Sequence, residues 1–201
     1  MSIDDLKILK VSGTAIPIRG DNIDTDQITP ADAMTERTFD NAVNYLFRDA
    51  RIADPNHPLN DTRYLGASIM IVNRNFGSGS SRETAPQAIT RSGIKGLVGE
   101  SYAAIFEGNC RALGIPAVTA TTLDIEELMN YTRNYPNTKY TIDLATKTLA
   151  YGKKRVPIDM PESSRLALIE GKWDALSMLK ANFRKVNEVA GKLPYMNGFT
   201  N

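Results

Sequence analysis

The chain has 201 residues, with 24 Lys or Arg against 23 Asp or Glu, a formal charge of +1, and is 42% hydrophobic and 23% charged. At about 100–200 residues per domain this is the length of one globular domain with a real core, and so small a net charge leaves no electrostatic footprint for nucleic acid or an anionic membrane. With one cysteine, Cys110, and one histidine, His57, the chain cannot form an internal disulfide or supply the several thiolates of a zinc or iron–sulfur site.

The opening stretch, Met1 to Lys7, has no basic run ahead of an apolar one, so it reads as no secretory signal. No segment approaches the ~18 consecutive apolar residues of a membrane span. With one unpaired thiol, the expectation is a cytoplasmic protein. The first 65 residues are turn-rich. Val11 to Ile18 reads as a strand, with Pro17 suggesting an edge or strand end. Asp21 to Pro30 is polar loop chemistry, and Asp54-Pro55-Asn56-His57-Pro58 is a further breaker. From Gly66 the pattern becomes regular. Ser68 to Val72 is a short apolar run suited to a strand buried on both faces. A glycine-rich loop follows over Asn75 to Ser81, then a helix from Thr84 to Ser92, and a second strand from Ile94 to Val98. A helix through Tyr102 to Leu113, a third strand at Ile115 to Val118 and a helix from Asp124 to Arg133 complete a β-α-β-α-β core with parallel strands. Lys139 to Leu144 and Lys147 to Tyr151 read as a hairpin, and Arg155 to Ile158 as an added strand. The tail is helical over Ser163 to Glu170 and from Trp173 to about Ala190, with Trp173 and Leu176 anchoring it to the sheet. The expectation is one α/β domain over 1–201: an irregular arm (1–65), a core (66–160) and a helical tail (161–201).

The most informative segment is Asn75-Phe76-Gly77-Ser78-Gly79-Ser80-Ser81-Arg82-Glu83. It leaves a buried-type strand, passes two glycines and several serines, presents an arginine and enters a helix. Glycines let backbone approach a ligand, and N–H groups at a helix start carry partial positive charge. Arg82 adds a planar fork suited to a carboxylate or phosphate. Such a loop at the carboxyl end of a parallel strand is an oxyanion site. The same residues also fit a plain connection, because Ser80 and Glu83 have capping-box spacing. The segment is neither a Walker loop nor a dinucleotide fingerprint.

Gly77-Ser78-Gly79-Ser80-Ser81-Arg82-Glu83 with Ala85-Pro86, then Gly93 to Gly99, resembles the swivelling domain of the aconitase superfamily. Asp21 to Pro30, Ser101 to Cys110 and Gly114 to Val118 extend the likeness in the family's order. It is strongest from about residue 11 to 160 and points to the free-standing small subunits of 3-isopropylmalate dehydratase. The resemblance implies a β/β/α layered fold with a mostly parallel central sheet. It also implies a hydro-lyase subunit that works with a large subunit carrying a 4Fe-4S cluster, on a small branched hydroxy-diacid in leucine biosynthesis. No cofactor is then expected in this chain.

By the same resemblance Ser80 removes the carbon-bound proton, Arg82 binds a substrate carboxylate, and Asp26 orients a basic group near the serine loop. Ser81 and Gly79 would contact substrate, and Arg37 would be a second carboxylate-binding arginine. A serine is a weak base, and each unit by which its pKa is lowered requires about 1.36 kcal/mol of differential stabilisation. Loop amides, a helix start and Arg82 are groups able to provide it. Plainer readings stand beside these: Asx turns for Asp24 and Asp26, and solvated surface for Arg37, His57 and Lys153-Lys154-Arg155. Cys110 reads as a buried small hydrophobe. The sequence departs from the family at Thr84, where histidine is usual, and at Ser78, often cysteine. Related hydro-lyases act on citramalate or citraconate, homoaconitate or 2,3-dimethylmalate, so the diacid stays open. A non-catalytic anion-binding module is the reading from another class.

Overall fold

The computed structural model describes residues 3–35, 38–79 and 82–199. Its strands are β1 (Lys10–Gly13), β2 (Ala15–Ile18), β3 (Ile69–Val72), β4 (Gly96–Gly99), β5 (Ala117–Thr119), β6 (Tyr140–Asp143), β7 (Thr148–Tyr151) and β8 (Lys154–Pro157). Its helices are α1 (Thr25–Ile28), α2 (Arg48–Ala53), α3 (Thr84–Arg91), α4 (Ala104–Ala112), α5 (Thr122–Asn134), α6 (Glu162–Ile169), α7 (Ala175–Ala181) and α8 (Phe183–Ala190), with short 3-10 turns between them.

The strands form two four-stranded sheets rather than one, ordered β2-β3-β4-β5 and β1-β6-β7-β8. The first is parallel throughout, pairing Ile16 with Met70, Met70 with Leu97, and Leu97 with Ala117. The second is antiparallel, with Val11 opposite Ile142 and Ile142 opposite Leu149. The expected mostly parallel sheet is therefore β2–β5, and the β-rich stretch after α5 builds a separate layer.

Period-two alternation explains how the layers stack. Along the parallel strands Ile16, Met70, Val72, Leu97 and Ala117 face one apolar core, shared with Ala85, Ala88 and Ile89 of α3 and Phe106 and Cys110 of α4. The intervening Ala15, Ile69, Ile71, Val98 and Val118 face a second core, made with Val11, Tyr140, Ile142, Leu149 and Tyr151 of the antiparallel sheet and Ile125, Leu128 and Met129 of α5. A sheet buried on both faces reads as near-continuous hydrophobic runs. In the antiparallel sheet β6 and β7 instead alternate buried with half-buried residues.

Three expectations are corrected. Val11 to Ile18 is two strands in different sheets, not one. The break is at Thr14, whose carbonyl accepts from both Ser68 N and Ile69 N, beside Gly13, where a Cβ would come within 2.6 Å of Ser68 Cβ. Trp173 to Ala190 is not one helix. It starts at Ala175 and stops at Asn182, whose side-chain amide and backbone N–H both reach the Met178 carbonyl, a local side-chain bond that competes with the helix ladder. Trp173 does anchor the tail, packing on the second core and donating from Nε1 to Leu6 O at 2.7 Å. Leu176 does not, being 61% exposed. The turn-rich segment before residue 65 also contributes β1 and β2, and so belongs to both sheets.

Candidate active site

Parallel pairing sends the exits of β2, β3 and β4 to one rim, the edge where α/β sheets usually bind ligands. Two loops meet there, one after β2 and one after β3, and they are laced together. Arg74 pairs with Asp21 at 3.1 Å, and Asn75 Nδ2 donates to Asn22 Oδ1 at 2.9 Å. Gly77 N donates to Ile23 O at 2.8 Å, and Thr25 N to Ser78 O at 2.9 Å. A third loop, after β4, supports them from the side: Ser101 Oγ accepts from Asn75 N at 2.9 Å, and Ser101 O from Phe76 N at 3.1 Å.

Gly77 shows why the loop needs glycine. Its φ is +75°, and a Cβ there would lie 2.1 Å from Cγ of Phe106. The Phe76 ring beside it is fully buried, edge-on to Phe106 at 5.4 Å. Ring packing thus fixes the loop from below. Gly79, with φ +93°, continues it, its absent Cβ falling 3.4 Å from Asp24 Cβ and 3.5 Å from Thr25 Oγ1.

Helix α1 carries the candidate acid. Asp24 caps it with a reciprocal capping box, its Oδ1 accepting from Gln27 N at 2.8 Å while its own N–H donates to Gln27 Oε1 at 2.9 Å. Asp24 is therefore a helix cap, where its plainer reading was an Asx turn in a loop. Asp26 sits in the first turn of this helix, its side chain half exposed, and binds the Nη1 of Arg82, which reaches across from the other loop. Arg82 is the more enclosed partner, with 21% of its side chain accessible. A guanidinium has five N–H donors in a rigid fork, and the pair with Asp26 uses the one at Nη1. Ser80, Ser81 and Arg37 lie outside the described residues.

Sequence reasoning missed one group here. Asn73, the first residue past β3, is 7% exposed; it accepts from Gly20 N at 3.0 Å and donates to Glu100 Oε1 at 3.0 Å. Glu100 Oε2 in turn accepts from the Thr122 hydroxyl at 2.8 Å. A polar residue directly after a fully apolar strand was the available signal.

The donor set does not suit a cluster. Among the described residues no three His, Cys, Asp or Glu side chains converge to hold a metal ion. Cys110 is fully buried in the helix-side core, and burial, reinforced by nearby Glu107, pushes its thiol up and away from the thiolate a ligand requires. His57 is half-buried against the Phe47 ring at 5.5 Å and uses Nδ1 to accept from Leu59 N, and burial lowers its pKa. These residues do not fit an iron–sulfur group. Among the described residues no helix is long and apolar enough to cross a membrane.

Comparison with known proteins adds the family. Residues 6–122 match the model of the aconitase C-terminal domain. The chain is 42% identical over 193 residues to the 3-isopropylmalate dehydratase small subunit of Thermus thermophilus, covering 94% of this chain and 96% of that one. It is 41% identical over 192 residues to the protein of the same name from Synechocystis, covering 95% and 96%. A crystal structure of 3-isopropylmalate dehydratase from Methanocaldococcus jannaschii superposes with a TM-score of 0.67 at 25% identity, covering 90% of this chain and 98% of that one. With a rim of this geometry and relatives matched over nearly their whole length, the chain belongs to the aconitase C-terminal domain family and, within it, to the 3-isopropylmalate dehydratase small subunits.

Proposed function

We propose that the chain is one swivelling domain of a cytoplasmic two-subunit hydro-lyase. It interconverts 2- and 3-isopropylmalate by dehydration and rehydration, and it acts only when docked on a large subunit that holds a 4Fe-4S cluster. The observation that carries this reading is the Arg82–Asp26 pair, which joins the glycine–serine loop to α1 at the rim of a parallel sheet. In the reading, Arg82 grips a carboxylate of the diacid and aligns the carbon whose proton leaves. Ser80, two residues earlier in the chain, takes that proton, and Asp26 holds Arg82 in place while the substrate enters. Ser81, Gly79 and Arg37 add substrate contacts. The partner's cluster would supply Lewis-acid help to the departing hydroxyl. The chain's own inventory supports such a partner, because a subunit with one buried thiol would have to borrow any cluster.

The test is anaerobic reconstitution with an iron–sulfur large subunit, following absorbance of the unsaturated diacid. Activity is expected only in the mixture. Ser80→Ala should lower it by about 10²–10⁴-fold, the usual contribution of a positioned proton carrier. Full activity in that variant would sink the proton-carrier assignment. Inactivity of the wild-type chain with every large subunit would favour a non-catalytic anion-binding module. Isopropylmalates, citramalate, homoaconitate and 2,3-dimethylmalate in the same assay decide the diacid.

A further inference from the structure

Two kinds of contact hold the Asp26 loop against the Arg82 loop, and they differ in their exposure to water. The Arg74–Asp21 pair and the Asn75–Asn22 bond are exposed, so solvent competes for them. Asn73 is buried. Its amide sits at the root of both loops, one residue past β3, and accepts from the N–H of Gly20, where the chain turns toward α1 with φ +135°. Its other end donates to Glu100 at the exit of β4, and Glu100 also holds Thr122 at the start of α5. One side chain therefore ties the exits of three adjacent parallel strands.

The chemistry of its two partners dictates an amide. A backbone N–H can only donate, and the Glu100 carboxylate here accepts, so the group between them must accept at one end and donate at the other. Aspartate would satisfy Gly20 but set two carboxylates together, and an apolar residue would take this partner away from both the Gly20 N–H and Glu100 Oε1 in a part-buried spot. We propose that Asn73 is a positioning residue that fixes the register of the Asp26 loop against the Arg82 loop. Its effect on turnover rests on the hydro-lyase reading above; its effect on the loops does not.

The experiment therefore has two arms and three variants: Asn73→Ala, Asn73→Asp, and the double variant Asn73→Asp/Glu100→Gln. In the double variant amide and carboxylate trade places. The acid at position 73 still accepts from Gly20, and the amide at position 100 donates to it while accepting from Thr122. In the first arm, hydrogen exchange on the isolated subunit, both single variants should speed exchange at Thr25 and Gly77 together by at least about tenfold. Amides of β6–β8 should stay within about twofold, and the double variant should return to the wild-type pattern. In the second arm, the reconstituted enzyme, kcat should fall about tenfold in the single variants with KM nearly unchanged, and recover in the double. Unchanged exchange at Thr25 and Gly77, acceleration spread evenly over both sheets, or a double variant that fails to recover overturns the proposal. A wild-type enzyme without dehydratase activity overturns the functional reading alone, and the exchange arm still decides the role of Asn73.

Discussion

The parallel sheet β2–β5 and the antiparallel sheet β1-β6-β7-β8 have four strands each, yet the candidate chemistry gathers at the end of only one. Parallel strands cannot be joined by tight turns, so each exit releases a long connection, and neighbouring exits land side by side. That brings Asp26, Arg82, Asn73 and Glu100 together from separate stretches of chain. Antiparallel strands close on themselves. Between β6 and β7 the Asp143 side chain simply accepts from the amides of Ala145 and Thr146 at 3.0 Å each. Its charges pair at the surface, Lys10 with Asp143 and Lys147 with Asp159, and a pair as exposed as Lys147–Asp159 is worth ~0–1 kcal/mol. One layer is built to collect loops, the other to cover a core.

The contrast can be broken most forcefully at Gly77. Alanine there must hold a left-handed φ, worth roughly 1–2 kcal/mol, and push its Cβ into the Phe106 ring, an overpacking of about 1–3 kcal/mol. Gly77→Ala should therefore lower stability by about 3 kcal/mol and abolish activity in the reconstituted enzyme, since the loop that leads to Arg82 has to move. Denaturant melts and turnover on one preparation check both. A variant with wild-type kcat would mean that the loop's shape is not what the rim requires.

Much of this architecture is legible in the sequence where the signal is local. Ser68 to Val72 and Ile94 to Val98 announce β3 and β4 because runs buried on both faces are continuously apolar, and Gly93 and Gly114 punctuate the helices before the next strands. The hairpin after α5 is legible from its alternation. Features set by distant partners are not. The sheet switch at Thr14 depends on Ser68 and Ile69, which lie in another strand's approach. Asn73 looks like ordinary loop polarity until Gly20 and Glu100 arrive, 53 and 27 residues away. At the candidate site the motif pointed to Arg82, Asp26 and Gly79, and the fold brings these three together. It could not reveal that Asp24 spends its side chain on capping. Leu176 failed as an anchor because a helical apolar stripe has the same pattern whether it is covered or bare.

The antiparallel layer offers the matching control. The Tyr140 hydroxyl is buried beneath that sheet, where burial pushes its pKa up to about 12, and it bonds Thr132 Oγ1 at 2.7 Å. Thr132 already donates to Leu128 O, so the tyrosine is the donor of the pair. Tyr140→Phe removes one buried hydrogen bond and leaves the ring stacked on Tyr151 at 5.6 Å. The expected loss is ~1 kcal/mol, or about 2–4 °C in Tm for a chain of this size, with kcat unchanged. A fall in kcat would mean that the two layers are coupled and would weaken the division drawn between them.

The smallest effect should be a change of slope with pH at the turn end of the same layer. Glu162, in the first turn of α6, binds Arg165 at 2.6 Å and lies 3.6 Å from Lys147. The Arg165 guanidinium, with help from Lys147, holds the Glu162 carboxyl down from 4.5 to about 2. A carboxyl depressed on folding favours the native state above its unfolded pKa, and that contribution disappears as pH falls through the folded value. Wild type should therefore outlast Glu162→Gln in thermal melts at pH 6, with the gap closing between pH 4.5 and about 2. Because the Glu162 carboxylate is half exposed, salt should shrink the gap by screening the pair. A gap that persists undiminished at pH 2 would show that Glu162 acts through packing rather than charge, and the antiparallel layer would then owe less to this ion pair than its geometry suggests.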